Sequence, residues 1–280
     1  MKITLLAAES MGVRSMALHI DDGGTGILID PGAALAPSRF GLPPHPREGQ
    51  ALNQALERIC QYAADADCLV ITHYHYDHYL PEADMYGEKR VFAKDIHHHI
   101  NHSQRQRGTS FARRWEESCT LTYADGQTFH LGDVTLRFSP PFPHGPPGTR
   151  LGYALAVTVE GDQRVVYTSD LQGPVDPAAA RYFIEQQPDL LIADGPPTYL
   201  LGYRFSRQEL EEAERNLLDI MAGTDCRLLL DHHLLRDLSY RERLPELYAA
   251  FGHRIQTYAQ YEGRDNNQLE ARRRDLWSGD

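Results

Sequence analysis

Between Thr72 and Leu80 the chain reads THYHYDHYL: His73, His75, Asp77 and His78 fall within six positions, directly after the apolar run Cys68-Leu69-Val70-Ile71. Imidazole nitrogen and carboxylate oxygen suit Zn²⁺, and a catalytic zinc keeps one position open for water. In an extended loop side chains alternate with period two, so His73 and His75 point the same way, Asp77 continues that face and His78 turns to the other. One loop can then offer donors to two cations a few ångströms apart.

Matching residues stand where later strands stop. His144 follows in PPFPHG, Asp170 ends VVYTSD, and His232 and His233 end RLLLDHH. Any one alone reads as a surface turn residue; in this order they read as a metal centre built from strand ends. Asp30 and Asp194 also end strands. They read either as carboxylates that orient imidazoles or as turn-initiating residues beside Pro and Gly.

The order H-x-H-x-D-H, then His, Asp and His, resembles the metallo-β-lactamase-fold hydrolases over residues 1 to about 260. The stretches GVRSMA, ILIDPG, FGLPPHP, THYHYDH, TSDLQGP, ADGPPTYL and DHHLLRD resemble more narrowly a prokaryotic family within that fold. The resemblance implies a first metal held by His73, His75 and His144, a second held by Asp77, His78 and His232, and Asp170 bridging both. His233 is an alternative to His232. Relatives that open β-lactams usually carry Cys at the Asp170 position, and flavodiiron relatives carry Glu at the His75 position, so neither activity is expected. One scaffold hosts many chemistries, so the motif speaks to fold and metal more than to substrate.

Two divalent cations about 3.5–4 Å apart, Zn²⁺ before Mn²⁺ or Fe²⁺, would share a bridging hydroxide, since zinc lowers the pKa of bound water from about 15.7 to about 7. The expected substrate is a phosphodiester or another phosphorylated or anionic small molecule. Asp77 would orient the nucleophile and take its proton, and His233, if it is not a ligand, is the candidate leaving-group acid. A lactone or thioester carbonyl is the second expectation. A mononuclear iron persulfide oxygenase and a non-catalytic, metal-stabilised binding protein are alternatives of other classes.

The elements that must position these residues are legible in outline. KITLLAAES, VRSMALHI and ILIDPG read as strands, and DDGGTG reads as a hairpin turn rather than a phosphate loop. PSRFGLPPHPRE is a loop, and EGQALNQALERICQYAAD is a helix. Residues 89–118 read as helix or loop, CTLTYADGQTFHLGDVTLRFSPPFPHG as three strands, and YALAVTVEGDQRVVYTSD as a hairpin. SRQELEEAERNLLDIMAG is a helix that Ser206 caps with Glu209 three residues on. Helices must cover the outer faces of two sheets, giving an α/β four-layer αββα sandwich. The 280 residues are compatible with one such domain carrying a basic helical insertion at about 89–118.

That insertion is the best sign of anion recognition. Residues 89–114 carry seven Lys/Arg against Asp95 alone, +6, and leave the remainder at −17 (21 basic, 38 acidic). Arg105, Arg107, Arg113 and Arg114 could clamp a phosphate, with Ser103 and Gln104 as neutral donors. The competing reading is a solvated helix face, half-buried if the chain is a homo-oligomer. His97, His98 and His99, read as consecutive helical residues, point about 100° apart and cannot all meet one ion. His45 is a surface loop residue or rims the cavity; His19, His130 and His253 read as structural.

A net charge of −11 disfavours broad nucleic-acid binding, which needs Lys and Arg against phosphates. The 66 residues from His78 to His144 leave no room for the helical domain of RNA-processing relatives, so nucleic acid ranks below a small anionic partner. Cys60, Cys68, Cys119 and Cys226 form no CxxC pair and read as thiols of a reducing compartment. The N-terminus reads as a strand rather than a signal peptide, and no run approaches the ~18 apolar residues of a membrane span. A cytoplasmic protein without a membrane partner is expected.

Overall fold

Alternate residues of each central strand face two different apolar layers, which is the physical origin of the architecture. In the computed structural model, which describes residues 1–279, six strands form one sheet in the order β1 (Lys2–Leu5), β2 (Leu18–Asp21), β3 (Gly26–Ile29), β4 (Cys68–Ile71), β5 (Arg90–Ala93) and β6 (Thr120–Tyr123). β1 to β3 are antiparallel and β3 to β6 run parallel. After β7 (Thr128–Leu131), β8 (Val134–Phe138) and the small pair β9 (Phe142–Pro143) and β10 (Tyr153–Ala154) come β11 (Val157–Glu160), β12 (Arg164–Tyr167), β13 (Leu190–Ala193), β14 (Arg227–Leu230) and β15 (Ile255–Gln256). The second sheet runs β15-β14-β13-β12-β11-β8-β7, parallel from β12 to β15.

Cys68 and Val70 of β4 face inward, with Ile20, Ile27 and Phe92, against Val157, Val165 and Ile192 of the other sheet. Leu69 and Ile71 face outward onto α1 (Pro46–Asp65), whose Ala55, Ile59 and Ala63 recur every four residues, and onto Phe111 and Trp115 of α2 (His102–Trp115). Val166, Leu191 and Leu228 face outward onto α3 (Pro177–Gln186) and α4 (Arg207–Gly223). Three apolar layers between four layers of secondary structure make the αββα sandwich, and each buried Leu, Ile or Phe contributes about 1.5–3 kcal/mol. Short helices α5 (Tyr240–Arg243), α6 (Pro245–Phe251), α7 (Tyr258–Tyr261) and α8 (Arg273–Ser278) complete the described chain. No helix among the described residues is long and apolar enough to cross a membrane.

Several boundaries differ from the expectation: KITLLAAES stays strand only to Leu5, VRSMALHI becomes strand only at Leu18, and the stretch expected as three strands holds four, β6 to β9. The helix expected from Glu48 begins at Pro46, because His45 caps it: Glu48 accepts from the His45 amide while His45 Nδ1 accepts from Arg47. The segment expected as helix or loop over 89–118 opens instead with β5, a strand buried between β4 and β6. Only α2 is helical there.

Chain segments distant in sequence are tied together around the parallel strand ends. Glu9 lies in a short 3₁₀ turn beside residues 231–236, and Ser10 donates its amide to Asp231 at 3.0 Å. The Asn267 amide returns to the Ser10 carbonyl at 2.7 Å. Arg273, fully buried, pairs with Glu48 at 2.8 Å and donates to the Ala36 and Leu42 carbonyls.

Candidate metal centre

The loop after β4 is not extended beyond His75. A turn closes it, with the His78 amide donating to the His75 carbonyl at 2.9 Å. Asp77 therefore does not continue the face of His73 and His75; it stands with His78. Two sets of donors result. His73, His75, His144 and Asp170 have donor atoms within 4.8 Å of one another, and so do Asp77, His78 and His232. Asp170 joins the sets. Its Oδ2 lies 3.6 Å from His73 Nε2 and 3.2 Å from His144 Nε2, while its Oδ1 lies 3.1 Å from His78 Nε2 and 3.2 Å from His232 Nε2. His73 Nε2 and His75 Nδ1 are 3.1 Å apart.

Each donor sits at a strand end: His73 to His78 after β4, His144 after β9, Asp170 after β12, His232 and His233 after β14. The parallel strands β4, β12 and β14 of the two main sheets deliver their ends to one edge of the sandwich, where open α/β sheets bind their ligands, and the small antiparallel pair β9–β10 adds His144. Asp30, Ser169 and His232 hold φ of 46°, 61° and 33°, a left-handed backbone that non-glycine residues adopt at a cost of about 1–3 kcal/mol. Gly32 permits the tightest approach. A Cβ there would lie 2.2 Å from Tyr79 N and 2.5 Å from the His78 carbonyl carbon.

Carboxylates stand behind the imidazoles. His78 Nδ1 is 2.8 Å from Asp30, which also accepts from the Thr72 and Tyr167 hydroxyls. His233 Nδ1 is 2.8 Å from Asp194, and His232 Nδ1 is 2.8 Å from Glu9. Such partners fix which ring nitrogen faces an ion. Glu9 escaped the sequence reading, as did Arg236, which donates to Glu9 at 2.6 Å and lies 3.7 Å from Asp77 Oδ2. The available signal for Arg236 was its place four residues after His232; nothing local marked Glu9.

Burial pushes His73 and His233 well below the ordinary imidazole range and His75 down to about 3. Burial acts the same way on His78 and His232, but Asp170 and Asp30 outweigh it at the first, and Glu9 and Asp170 raise the second to about 10. Burial, reinforced by Asp170, raises Asp194 to about 8. Burial would also raise Asp77 and Asp170, yet the neighbouring His78 and His232 hold both low. Among the described residues His78 Nε2, both His144 ring nitrogens and Asp170 Oδ1 are buried without a hydrogen-bond partner. Buried polar atoms ordinarily have one. Orphaned atoms gathered about the two oxygens of Asp170, His144 Nε2 beside Oδ2 and His78 Nε2 beside Oδ1, fit divalent cations.

His232 stands in the second set, 3.7 Å from Asp77 Oδ2; His233 Nε2 lies 3.7 Å from Asp170 Oδ2, and Asp170, His232 and His233 also have donor atoms within 4.8 Å of one another, so His233 stays an alternative ligand. The basic segment does not gather as a clamp. Lys89 donates to the Ala64 and Ala66 carbonyls at the end of α1, and Lys94 is buried against Asp125 at 2.6 Å. Arg114 pairs with Glu82 at 2.8 Å. Arg105 turns to the His97 carbonyl, Gln104 straps Tyr74 to Leu151, and exposed Ser103 makes no hydrogen bond among the described residues. Of its basic side chains Arg107 reaches the metal-site loop, donating to the Tyr74 carbonyl at 3.1 Å and stacking on Tyr76 at 4.6 Å. His97, His98 and His99 precede α2 rather than lie in it, and His98 pairs with Asp95. His45 packs edge-on against Trp277, so it does not rim the centre.

A model described as a β-lactamase superfamily domain matches residues 25–198. The UPF0282 protein of Methanopyrus kandleri is 40% identical over 291 residues, covering 99% of each chain. That of Methanocaldococcus jannaschii is 39% identical, covering 100% of this chain and 97% of its own. Among solved structures, an isothiocyanate hydrolase from Delia radicum gut bacteria superposes with a TM-score of 0.55 at 16% identity, covering 92% of this chain and 96% of that one. CmlA, a diiron β-hydroxylase from Streptomyces venezuelae, superposes with a TM-score of 0.52 at 13% identity, covering 94% of this chain and 51% of that one. At these identities the structural likeness speaks to the fold.

Proposed function

The chain belongs to the β-lactamase superfamily, and from that premise we propose that it is a metal-dependent hydrolase with a dinuclear zinc centre acting on a phosphodiester or another phosphorylated small molecule. One observation carries the reading: each oxygen of Asp170 faces a different set of imidazoles, so one carboxylate serves two sites. His73, His75, His144 and Asp170 would hold one ion, and Asp77, His78, His232 and Asp170 the other. Bound there, the pair would supply Lewis acidity and a water acidic enough to act as nucleophile near pH 7.

The chain's own groups do the rest. His78, then His232 and Arg236, keep Asp77 ionised, the last two flanking its Oδ2 at 3.7 Å, so that it can orient a water and take its proton. His233 Nε2 faces the cluster while Nδ1 rests on Asp194, whose carboxyl, raised to about 8, holds a proton near pH 7; that proton can pass through the neutral imidazole, in at Nδ1 and out from Nε2, to a departing alkoxide. Arg107 adds positive charge beside the 73–78 loop. The phosphoryl preference rests on that charge; lactones and thioesters test it.

Zinc-reconstituted protein should hold close to two ions and turn over bis(p-nitrophenyl) phosphate, with Asp170→Ala losing both properties. Turnover of a lactone or thioester alone would replace the substrate class. Oxygen uptake with iron, or no turnover of any of the three at full metal occupancy, would overturn the hydrolase reading.

A further inference from the structure

Three stretches far apart in sequence, FGLPPHP, ADGPPTYL and DHHLLRD, supply Phe40, Thr198, Tyr199 and Arg236 to a single cavity of about 390 Å³. The cavity shares Arg236 with the metal centre. On one side this side chain donates to the Tyr199 hydroxyl at 3.1 Å; on the other its Nη2 is 3.2 Å from His232 Nε2 and 3.7 Å from Asp77.

Arg39 is the unmatched group. Its guanidinium lies between the Phe40 and Tyr199 rings, 4.6 and 4.7 Å from their centroids. Its Nη2 donates to the Arg236 carbonyl at 3.3 Å, but its Nε is buried without a partner, and no carboxylate among the described residues lies within ion-pair distance. The carboxylate on the cavity wall, Asp237, is already taken by Arg243 at 2.9 Å. Thr198 is 2% exposed, and its hydroxyl is also buried without a partner. Two orphaned polar groups, one a full positive charge, thus line one space whose other walls are aromatic and aliphatic side chains together with Arg236, Asp237 and Arg243, each of which is already paired. A buried donor left unpaired is costly, and a guanidinium is shaped for an oxyanion.

We propose that this cavity is a recognition site for the non-reacting end of the substrate, taking a terminal oxyanion, phosphate or carboxylate, on an aromatic or apolar group. Arg39 and Thr198 hold the oxyanion, and Tyr199, Phe40 and Leu201 cover the apolar part. Binding energy gathered there would position the scissile group at the adjacent ions. The assignment rests on the hydrolase reading for its role, but not for its ligand.

The test is calorimetric titration of zinc-loaded protein with phenyl phosphate and with benzoate, which separates the two oxyanions. Wild type binds at least one of them. Arg39→Ala weakens that binding roughly tenfold or more, the loss of a charged hydrogen bond, with zinc content and melting temperature unchanged. Thr198→Val, which keeps the side chain's shape, weakens it several-fold and serves if Arg39→Ala does not fold. Binding by both variants within twofold of wild type, or no binding of either ligand at millimolar concentration, overturns the proposal. Ester turnover with an unchanged KM in Arg39→Ala would sink the cavity and leave the hydrolase reading standing. Arg39-dependent binding without turnover of any ester would do the reverse.

Discussion

Replacing Gly32 by Ala would place a methyl group inside the backbone of the loop that carries four of the seven donors. The added carbon would sit 2.2 Å from Tyr79 N, 2.5 Å from the His78 carbonyl carbon and 2.8 Å from His78 N. These are main-chain atoms and cannot swing aside. Restoring a contact of about 3.5 Å moves this backbone by about 1.3 Å. His78 travels with it, although its Nε2 stands 3.1 Å from Asp170 and its Nδ1 2.8 Å from Asp30. Overpacking costs about 1–3 kcal/mol of stability. Disturbing the Asp30 contact that orients the imidazole costs about 10–100-fold in metal affinity. Zinc affinity is measured by competition with a chromophoric chelator, and stability by urea unfolding of the chelated protein, so that the two losses separate. If two ions bind as proposed, one should be weakened more than the other, because His78 stands in the second set. A Gly32→Ala protein that binds two zincs with wild-type affinity would refute the argument that this glycine sets the loop's position.

Glu9→Gln leaves Arg236 as a buried charge without its carboxylate, so the protein should lose about 3–5 kcal/mol in urea unfolding; a loss below 1 kcal/mol would show that the pair is dispensable. Glu270 is raised by burial, but the Arg14 hydrogen bonds outweigh that and hold it below its ordinary value. The unfolded chain then binds the proton more readily, so this contribution is complete above pH ~4.5, fades as pH falls through the native pKa, and should vanish from the acid limb in Glu270→Gln. Burial pushes the Cys68 thiol up to about 12. Exposed Cys60 should therefore react with iodoacetamide at pH 8 in the native protein, and Cys68 only after unfolding; mass spectrometry of the labelled peptides reads the order.

The metal-site loop was legible because its four donors are adjacent in the chain, and the strand ends that face it follow apolar runs that announce themselves. The cap of α4 was legible for the same reason: Ser206 and Glu209 are three residues apart, and both reciprocal bonds form. What escaped depends on partners far away. Glu9 meets His232 across 223 residues. The basic segment counted as +6 only while its partners were out of view: Lys89 serves α1, Lys94 meets Asp125 and Arg114 meets Glu82. Asp77 was placed on the wrong face because alternation holds for extended chain, and the turn at His75–His78 ends it. Arg39 had no signal at all, since its significance lies in what it lacks.

The ties between the ends of the chain bear on how the protein matures. The 73–78 loop leaves the ribosome early, but Glu9 has no His232 to hold until the last fifth of the chain has been made, and the Ser10 carbonyl waits for Asn267. Contacts of such span close late. A nascent chain would carry four metal-binding side chains with neither Asp170 nor His232 to complete their sites, free to pick up whatever ion is nearby. The proposed centre is therefore complete only in the finished fold, once Asp170 and His232 stand beside the loop.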